Sequence, residues 1–471
     1  MSINKQVASK ESVNLATSKQ KTYQEIIEFL DTHWALPSDN KSLERMKALN
    51  KQFNNNAKTI NAILIAGTNG KSLTAHFAAK LLKKEGLTVG IFINPHILTY
   101  NERISTDTET ISQKAFTDLA NEVITTAQAA SINVTSREIL TQMAINYFIT
   151  QNVDVALFEA ESITAFDAVS ICTPTITALT RLINNKAFIT EPCSTEIIHN
   201  YLAFIPKNSH LVSADQNKTN LKAMADYAKQ VGAQWAMPIR KLVALPYPFE
   251  QLHGRCAALA ERIAYLFINF YTKKEEVIAQ ESLLIHKPGQ RGRPTTQAKK
   301  ELEINPKKTL EQFWKEIFNE LPGRFQILDK EKPTLLLDNA NNIDAFENLL
   351  LGIKLLHYQK PLKNIAFVFG CDTTTLNTEL FAKQVRYFFK KITGHVIICP
   401  LKQKAGNNPL EDAQAVQNAF KDVKIKPRMT SSFKEAFEAA KKLINDRNGL
   451  VVITGSNEIL QEYWNTKNSK K

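Results

Sequence analysis

The sequence predicts an α/β protein of two domains: a parallel sheet covered by helices on both faces, then a smaller α/β unit. Three observations predict this. Short, continuous apolar runs such as AILIAG, VDVALFEA and GLVVITGS alternate with longer stretches of helical apolar spacing. A glycine-rich turn, GTNGKS (Gly67 to Ser72), joins one such run directly to a helical pattern. The alternation then breaks over residues 286–308 and resumes after Leu321.

The elements follow in order. Lys21 to Asn50 reads as helices, with apolar residues near helical spacing in TYQEIIEFLDTHWAL and SLERMKALNKQF. AILIAG is a strand, and SLTAHFAAKLLKKEG is a helix that stops at Gly86. TVGIFIN is the next strand. Gln113 to Ala130 and Leu140 to Thr150 are helical, VDVALFEA is a strand, and TPTITAL and HLVSAD are short strands. In the second half TLLLDNA, NIAFVFG, HVIICPL and GLVVITGS are strands. Helices are expected at Ile343 to Leu356, near Phe381 to Lys391 and around Ser432 to Leu443. No internal repeat is visible. The expected organisation is a flexible leader over 1–20, a first domain over 21–285, a basic linker or loop over 286–308 and a second domain over 309–471.

Bulk properties narrow the class. A chain of 471 residues exceeds one ordinary core and suits two domains. Its composition, 44% hydrophobic and 22% charged, is that of a globular protein. No apolar run reaches the roughly eighteen residues a membrane span needs, so no membrane is expected among its partners. The polar start, MSINKQVASKESVNLATSKQ, has no apolar core and is read as a frayed leader rather than a secretory signal. Five scattered cysteines without a Cys-x-x-Cys pair indicate neither a disulfide framework nor a zinc site, and a reducing cytoplasm fits them. A net charge of +13 suits anionic partners without choosing among them. The 286–308 stretch has seven basic residues against two acids, with neither interleaved aromatics nor a nucleic-acid-binding motif. It is read as a solvated hinge, and nucleic acid is not an expected partner.

The turn at Gly67 carries the chemistry. A phosphate at a strand-to-helix turn needs close backbone approach, hence glycine, and inward N–H groups at the positive end of a helix. A lysine then meets the outer phosphate oxygens, and a hydroxyl can meet magnesium. Gly67, Thr68, Asn69, Gly70, Lys71 and Ser72 supply all of these, so the first domain is expected to be of P-loop type. The strict Walker pattern fails because Ile65 stands where its first glycine belongs, but the shorter Gly-Thr-Asn-Gly-Lys form works by the same mechanics.

AGTNGKS resembles the nucleotide loop of the Mur ligase superfamily, and its surroundings resemble the folylpolyglutamate synthase/dihydrofolate synthase group. GIFINPHILTYNERI (Gly90 to Ile104) is similar to that group's Thr-Ser-Pro-His loop with its following Glu-Arg-Ile. LTQMAINYFITQNVDVALFEA resembles its helix-strand unit ending in a glutamate, here Glu159. LPGRFQIL, LLLDNANN and VVITGS resemble three landmarks of its C-terminal domain. The resemblance runs in order over about residues 22 to 456. It implies a Rossmann-like second domain and a monomer. It also implies an ATP- and Mg2+-dependent reaction in which a pterin or folate carboxylate, activated as an acyl phosphate, is joined to L-glutamate. On the matching positions, Lys71, Glu159 and Asp338 are implied as catalytic. The Gly67–Ser72 loop with Arg324, Asp338 and Asn341 is implied to bind ATP. Ser72, Asn94 and Glu159 are implied as metal ligands, and Pro95, His96 and Arg103 as substrate contacts.

The pattern also breaks. After its glutamate the family usually has Val-Gly-Leu-Gly-Gly-Arg-Leu-Asp-Ala-Thr-Asn. This chain reads AESITAFDAVS, keeping only Asp167 and Ala168 and placing Glu161, Ile163 and Thr164 where glycines stood. Leu182 and Ile183 fall near the family's metal-binding Asp-His. Tyr201 falls where its modified lysine lies, and Asn341 replaces a histidine. Two readings stay open: a folate-pathway ligase, and a nucleotide-binding relative with a regulatory or structural role and impaired turnover.

Overall fold

The computed structural model describes residues 20–34, 42–107, 109–160, 167–183, 195–203, 205–236, 250–272, 321–359, 361–370, 373, 376–401, 408–444 and 448–468. Nearly all of the expected leader, the 286–308 linker and the segment with Glu161, Ile163 and Thr164 lie outside the described residues.

Eight strands form the first sheet: β1 (Ala62–Ala66), β2 (Val89–Phe92), β3 (Ile104–Thr106), β4 (Glu109–Thr110), β5 (Val155–Glu159), β6 (Pro174–Leu179), β7 (His210–Ser213) and β8 (Gln234–Ala236). Their order is β4-β3-β2-β5-β1-β6-β7-β8. The pairs from β2 through β8 are parallel; β3 and β4 add an antiparallel edge. Side chains alternate strictly across the pleat. Ala62, Leu64 and Ala66 join one buried cluster, and Ile63 and Ile65 join the other. The first cluster is closed by α1 (Tyr23–Thr32), α2 (Ser42–Gln52), α4 (Gln113–Ala129), α5 (Ser136–Thr150), α6 (Thr195–Leu202) and α7 (Lys218–Val231), the second by α3 (Lys71–Lys84) and α8 (Glu250–Phe270). The chain leaves β1 for β2 on one side and returns through β5 to β6 on the other. The carboxyl end of β1 is therefore the topological switch point, where such sheets open a crevice.

The second sheet contains β9 (Gln326–Leu328), β10 (Thr334–Asp338), β11 (Asn364–Phe369), β12 (Gly394–Ile398), β13 (Arg428–Met429) and β14 (Gly449–Thr454), in the order β13-β12-β11-β14-β10-β9. All its pairs are parallel except β9 with β10. One face is covered by α9 (Ile343–Gln359), α10 (Thr378–Phe389) and α11 (Pro409–Asp422), the other by α12 (Phe433–Leu443) and α13 (Asn457–Asn468). The two units interlock: Ile97 of the first is fully buried in the second's core, and Leu321 is buried in the first's.

The sheets are mixed rather than purely parallel. The antiparallel edges β3, β4 and β9 are two or three residues long, too short to show a period. Helix α5 begins at Ser136, ahead of the expected Leu140, because Thr135 and Glu138 form a reciprocal capping box. Helix α7 was not expected from the sequence, although it is punctuated: Asn217 accepts from the N–H of Thr219 and Asn220, and Gly232 ends it at φ +76°.

Candidate active site

The turn after β1 lies at the switch point. Gly67 has φ +125°, and a Cβ there would meet the Thr180 hydroxyl at 2.2 Å, so only glycine fits. The Thr68 N–H donates to the Arg181 carbonyl (2.7 Å), and the Ile183 N–H donates to the Thr68 hydroxyl (3.1 Å). The chain after β6 thus forms one wall of the loop. Gly70, at φ +88°, leads into α3, whose Lys71 and Ser72 open the first turn. Lys71 Nζ donates to the carbonyls of Gly67 (3.0 Å) and Thr68 (3.4 Å) and lies 3.8 Å from Glu159 Oε1.

Glu159 ends β5, the strand beside β1. It is buried, and its Oε2 has no hydrogen-bond partner. Burial raises its pKa, against the lowering pull of Lys71 and Arg324. Arg324 reaches across from the second unit, its Nη2 donating to Ser72 Oγ at 3.0 Å. Asp338, at the end of β10, accepts from the N–H groups of Phe325 (2.8 Å) and Ala340 (2.9 Å). Its carboxylate therefore holds the turn that presents Arg324; burial pushes its pKa up to about 6. Helix α9 is capped by Asn342, which accepts from the Ala345 N–H at 3.0 Å, and not by Asp338.

The 94–103 segment is tied mainly to itself. Asn94 Oδ1 accepts from the Arg103 guanidinium, and Asn94 Nδ2 donates to the Glu159 carbonyl at 3.2 Å. This leaves the amide oxygen implied as a metal ligand already engaged. Arg103, 2% exposed, donates from Nε to His96 Nδ1 (2.8 Å) and lies 4.7 Å from the Trp34 ring centroid. It acts here as a strut under the loop rather than as an open substrate contact. The bond puts the His96 proton on Nε2. Burial, then the Arg103 charge, lowers the His96 pKa to about 3. Pro95 follows a cis peptide bond, and Glu102 accepts from the N–H groups of Ile97, Leu98 and Thr99.

Other implied positions fall apart from this group. Asn341 is exposed, and its Oδ1 accepts from Asn342. Tyr201 is buried in the first core cluster. Leu182 is buried, with its N–H on the Asp215 carboxylate (3.0 Å).

Residue-by-residue reading missed a lip over the loop. Asn69 exchanges two amide hydrogen bonds with Asn342, each 3.0 Å, and donates to Asp344 Oδ2 at 2.8 Å. Arg181 Nη1 pairs with Asp344 Oδ1. The signal was weak, since Asp344 reads simply as an acid in the first turn of a helix.

The loop fits a phosphate chain, with glycine clearance, a helix N-terminus and Lys71 on one side. The donor set for a divalent cation is lean. Among the described residues no three His, Cys, Asp or Glu side chains cluster, but the orphaned Oε2 of Glu159 beside Ser72 is one hard oxygen donor. That suits magnesium, which is often held by one or two carboxylates with water and phosphates completing its shell. Among the described residues no helix is long and apolar enough to cross a membrane.

Residues 323–457 match the family model described as Mur ligase, glutamate ligase domain. The dihydrofolate synthase/folylpolyglutamate synthase of Bacillus subtilis is 28% identical over 326 residues, covering 66% of this chain and 72% of that protein. The structure of Mycobacterium tuberculosis folylpolyglutamate synthase complexed with ADP superposes with a TM-score of 0.72 at 18% identity, covering 94% of this chain and 98% of that one. The Yersinia pestis bifunctional enzyme, complexed with AMPPNP and Mn ion, gives 0.69 at 19%, covering 95% and 98%. With the phosphate loop at the switch point and Arg324 facing it from the matched domain, the chain is similar in sequence to the folylpolyglutamate synthases/dihydrofolate synthases and shares their fold.

Proposed function

We propose that this chain is an ATP-dependent carboxylate–amine ligase that adds L-glutamate to dihydropteroate and/or folates through an acyl phosphate. The observation that carries this reading is the convergence of Lys71, Ser72 and Glu159 on one loop, faced across the cleft by Arg324. ATP supplies the phosphoryl group that activates the carboxylate, and Mg2+ neutralises charge on the phosphate oxygens. Glu159 and Ser72 are the side chains that would hold the metal. The loop N–H groups and Lys71 bind and orient the phosphates. Arg324, fixed by Asp338, places a second cation opposite Lys71. The interlocked units, proposed as domains 21–285 and 309–471, exclude water from the activated carboxylate. His96, whose Nδ1 accepts from Arg103, keeps a neutral Nε2–H donor on the 94–103 loop. We further propose a cytoplasmic monomer.

The test is purified protein with ATP, Mg2+, L-glutamate and either dihydropteroate or a folate, the product being read by mass. An acceptor heavier by one glutamyl residue is expected. Nucleotide binding with no glutamylated product from either acceptor overturns the ligase reading and leaves a non-catalytic nucleotide-binding relative.

A further inference from the structure

At the rim of the phosphate loop, a carboxylate from the second domain sits on donors belonging to the first. Asp344 Oδ2 accepts from Asn69 Nδ2 at 2.8 Å, and Asp344 Oδ1 pairs with the Arg181 guanidinium. Asn69 is a member of the loop. Arg181 is nearly one: its carbonyl takes the Thr68 N–H, and the Ile183 N–H two residues on takes the Thr68 hydroxyl. The guanidinium is thus fixed to the wall of the phosphate site by its own backbone. A guanidinium fork matches carboxylate and phosphate equally in geometry, so the Asp344 carboxylate shows which class of group this seat accepts. Other charges gather around this pair: Glu347 acts on both Arg181 and Asp344, and Asp215 holds the N–H of Leu182 beside Arg181. Arg255 of α8 also faces Arg181 and Asp344, and its own charge is disfavoured first by burial and then by Arg181. Directly beyond Arg181 the chain carries Leu182 and Ile183, neither of which can hold a metal.

We propose that Asn69 and Arg181 form a phosphate-binding subsite of the nucleotide site, and that Asp344 is its built-in competitor. Arg181 places on the protein positive charge that a lean metal site leaves unsupplied. Asp344 holds the guanidinium ready and is displaced by a nucleotide phosphate. Arg181 is thereby a binding residue that the family resemblance does not assign. The proposal rests on the nucleotide-binding part of the function proposed above, but not on turnover.

The experiment is calorimetric titration of the full chain with ATP, once in excess EDTA and once in excess Mg2+. It compares the parent with Arg181→Gln, Arg181→Lys and Asp344→Asn, each checked for an unchanged melting transition. In EDTA, Arg181→Gln is expected to weaken ATP by about tenfold, with Arg181→Lys between it and the parent. Mg2+ is expected to recover much of that loss. Asp344→Asn is expected to tighten ATP severalfold, the opposite sign. If Arg181→Gln binds ATP like the parent, or Asp344→Asn weakens binding as a lost interdomain clasp would, the subsite is wrong and the ligase reading stands. A parent that binds no nucleotide removes both. A parent that binds ATP without forming product removes only the ligase reading, because the affinities still report on the subsite.

Discussion

Two strand-to-helix turns in this molecule use nearly the same backbone and do different things. Gly67 follows β1 at φ +125°, and Gly455 follows β14 at φ +119°. A Cβ on the first would meet the Thr180 hydroxyl at 2.2 Å; on the second, the Gly370 carbonyl oxygen at 2.3 Å. Both turns open a helix. After Gly67 come Lys71 and Ser72; Arg324 reaches Ser72 from the second unit, and Arg181 belongs to the wall of the loop. After Gly455 come Ser456, which caps α13 by accepting from the Ile459 N–H, and the acidic Glu458, with Gly370 and Phe369 pressed against the glycine. The first turn fits the phosphate seat proposed for it, and the second is a packing seam. A glycine and a helix N-terminus supply only partial positive charge. A full cation, Lys71, makes the difference.

Lys71→Ala breaks this contrast most directly. Turnover is expected to fall by at least about a hundredfold, the scale of removing one charge-stabilising donor, with the melting temperature nearly unchanged. Steady-state kinetics beside a thermal melt check it; full turnover would make the first turn no more chemical than the second. Gly455→Ala should act the other way, lowering stability by about 2–4 kcal/mol in urea unfolding through overpacking and backbone strain, with kcat of the folded protein kept. Gly67→Ala is expected to lose nucleotide affinity as well as stability, which separates seat from seam.

Arg103→Met tests whether the 94–103 loop is a structural support of the seat. It leaves Asn94 Oδ1 and His96 Nδ1 without their donor, and about 1–3 kcal/mol of stability is expected to go, with ATP affinity changed less than by Lys71→Ala. The smallest effect is on pH. His76 and His96 are both held neutral, their pKa lowered to about 3 chiefly by burial. The unfolded chain therefore takes up more protons than the folded one between about pH 3 and 6.5. The stability contribution is complete above 6.5 and is lost as pH falls, at up to about 1.4 kcal/mol per pH unit for each histidine. Asp338, raised to about 6, slopes the opposite way between roughly pH 4 and 6. In urea unfolding from pH 7 to 4, His96→Gln should flatten the acid loss; an unchanged slope would mean His96 takes up its proton in the folded state.

Which parts were legible follows from distance along the chain. The apolar runs of β1, β5, β11 and β14 announce themselves because burial on both faces demands it within five or six residues. The phosphate loop is legible because Gly67 through Ser72 are contiguous. The family's landmarks located Arg324, whose hydroxyl partner, Ser72, is 252 residues away. They did not show that Asn94 and Arg103 satisfy one another, because a resemblance transfers positions and not partners. The lip over the loop left no local trace: Arg181 and Asp344 are 163 residues apart, and Asn69 and Asp344 are 275 apart.

By itself, then, the sequence determined the alternation of the two sheets and the place of the glycine turn with its lysine, since periodicity, glycine and a neighbouring lysine act over a few residues. Only the tertiary structure decided which carboxylate meets which guanidinium. Charge pairing depends on separations of about 3 Å, and the interlock of Ile97 and Leu321 brings remote segments that close.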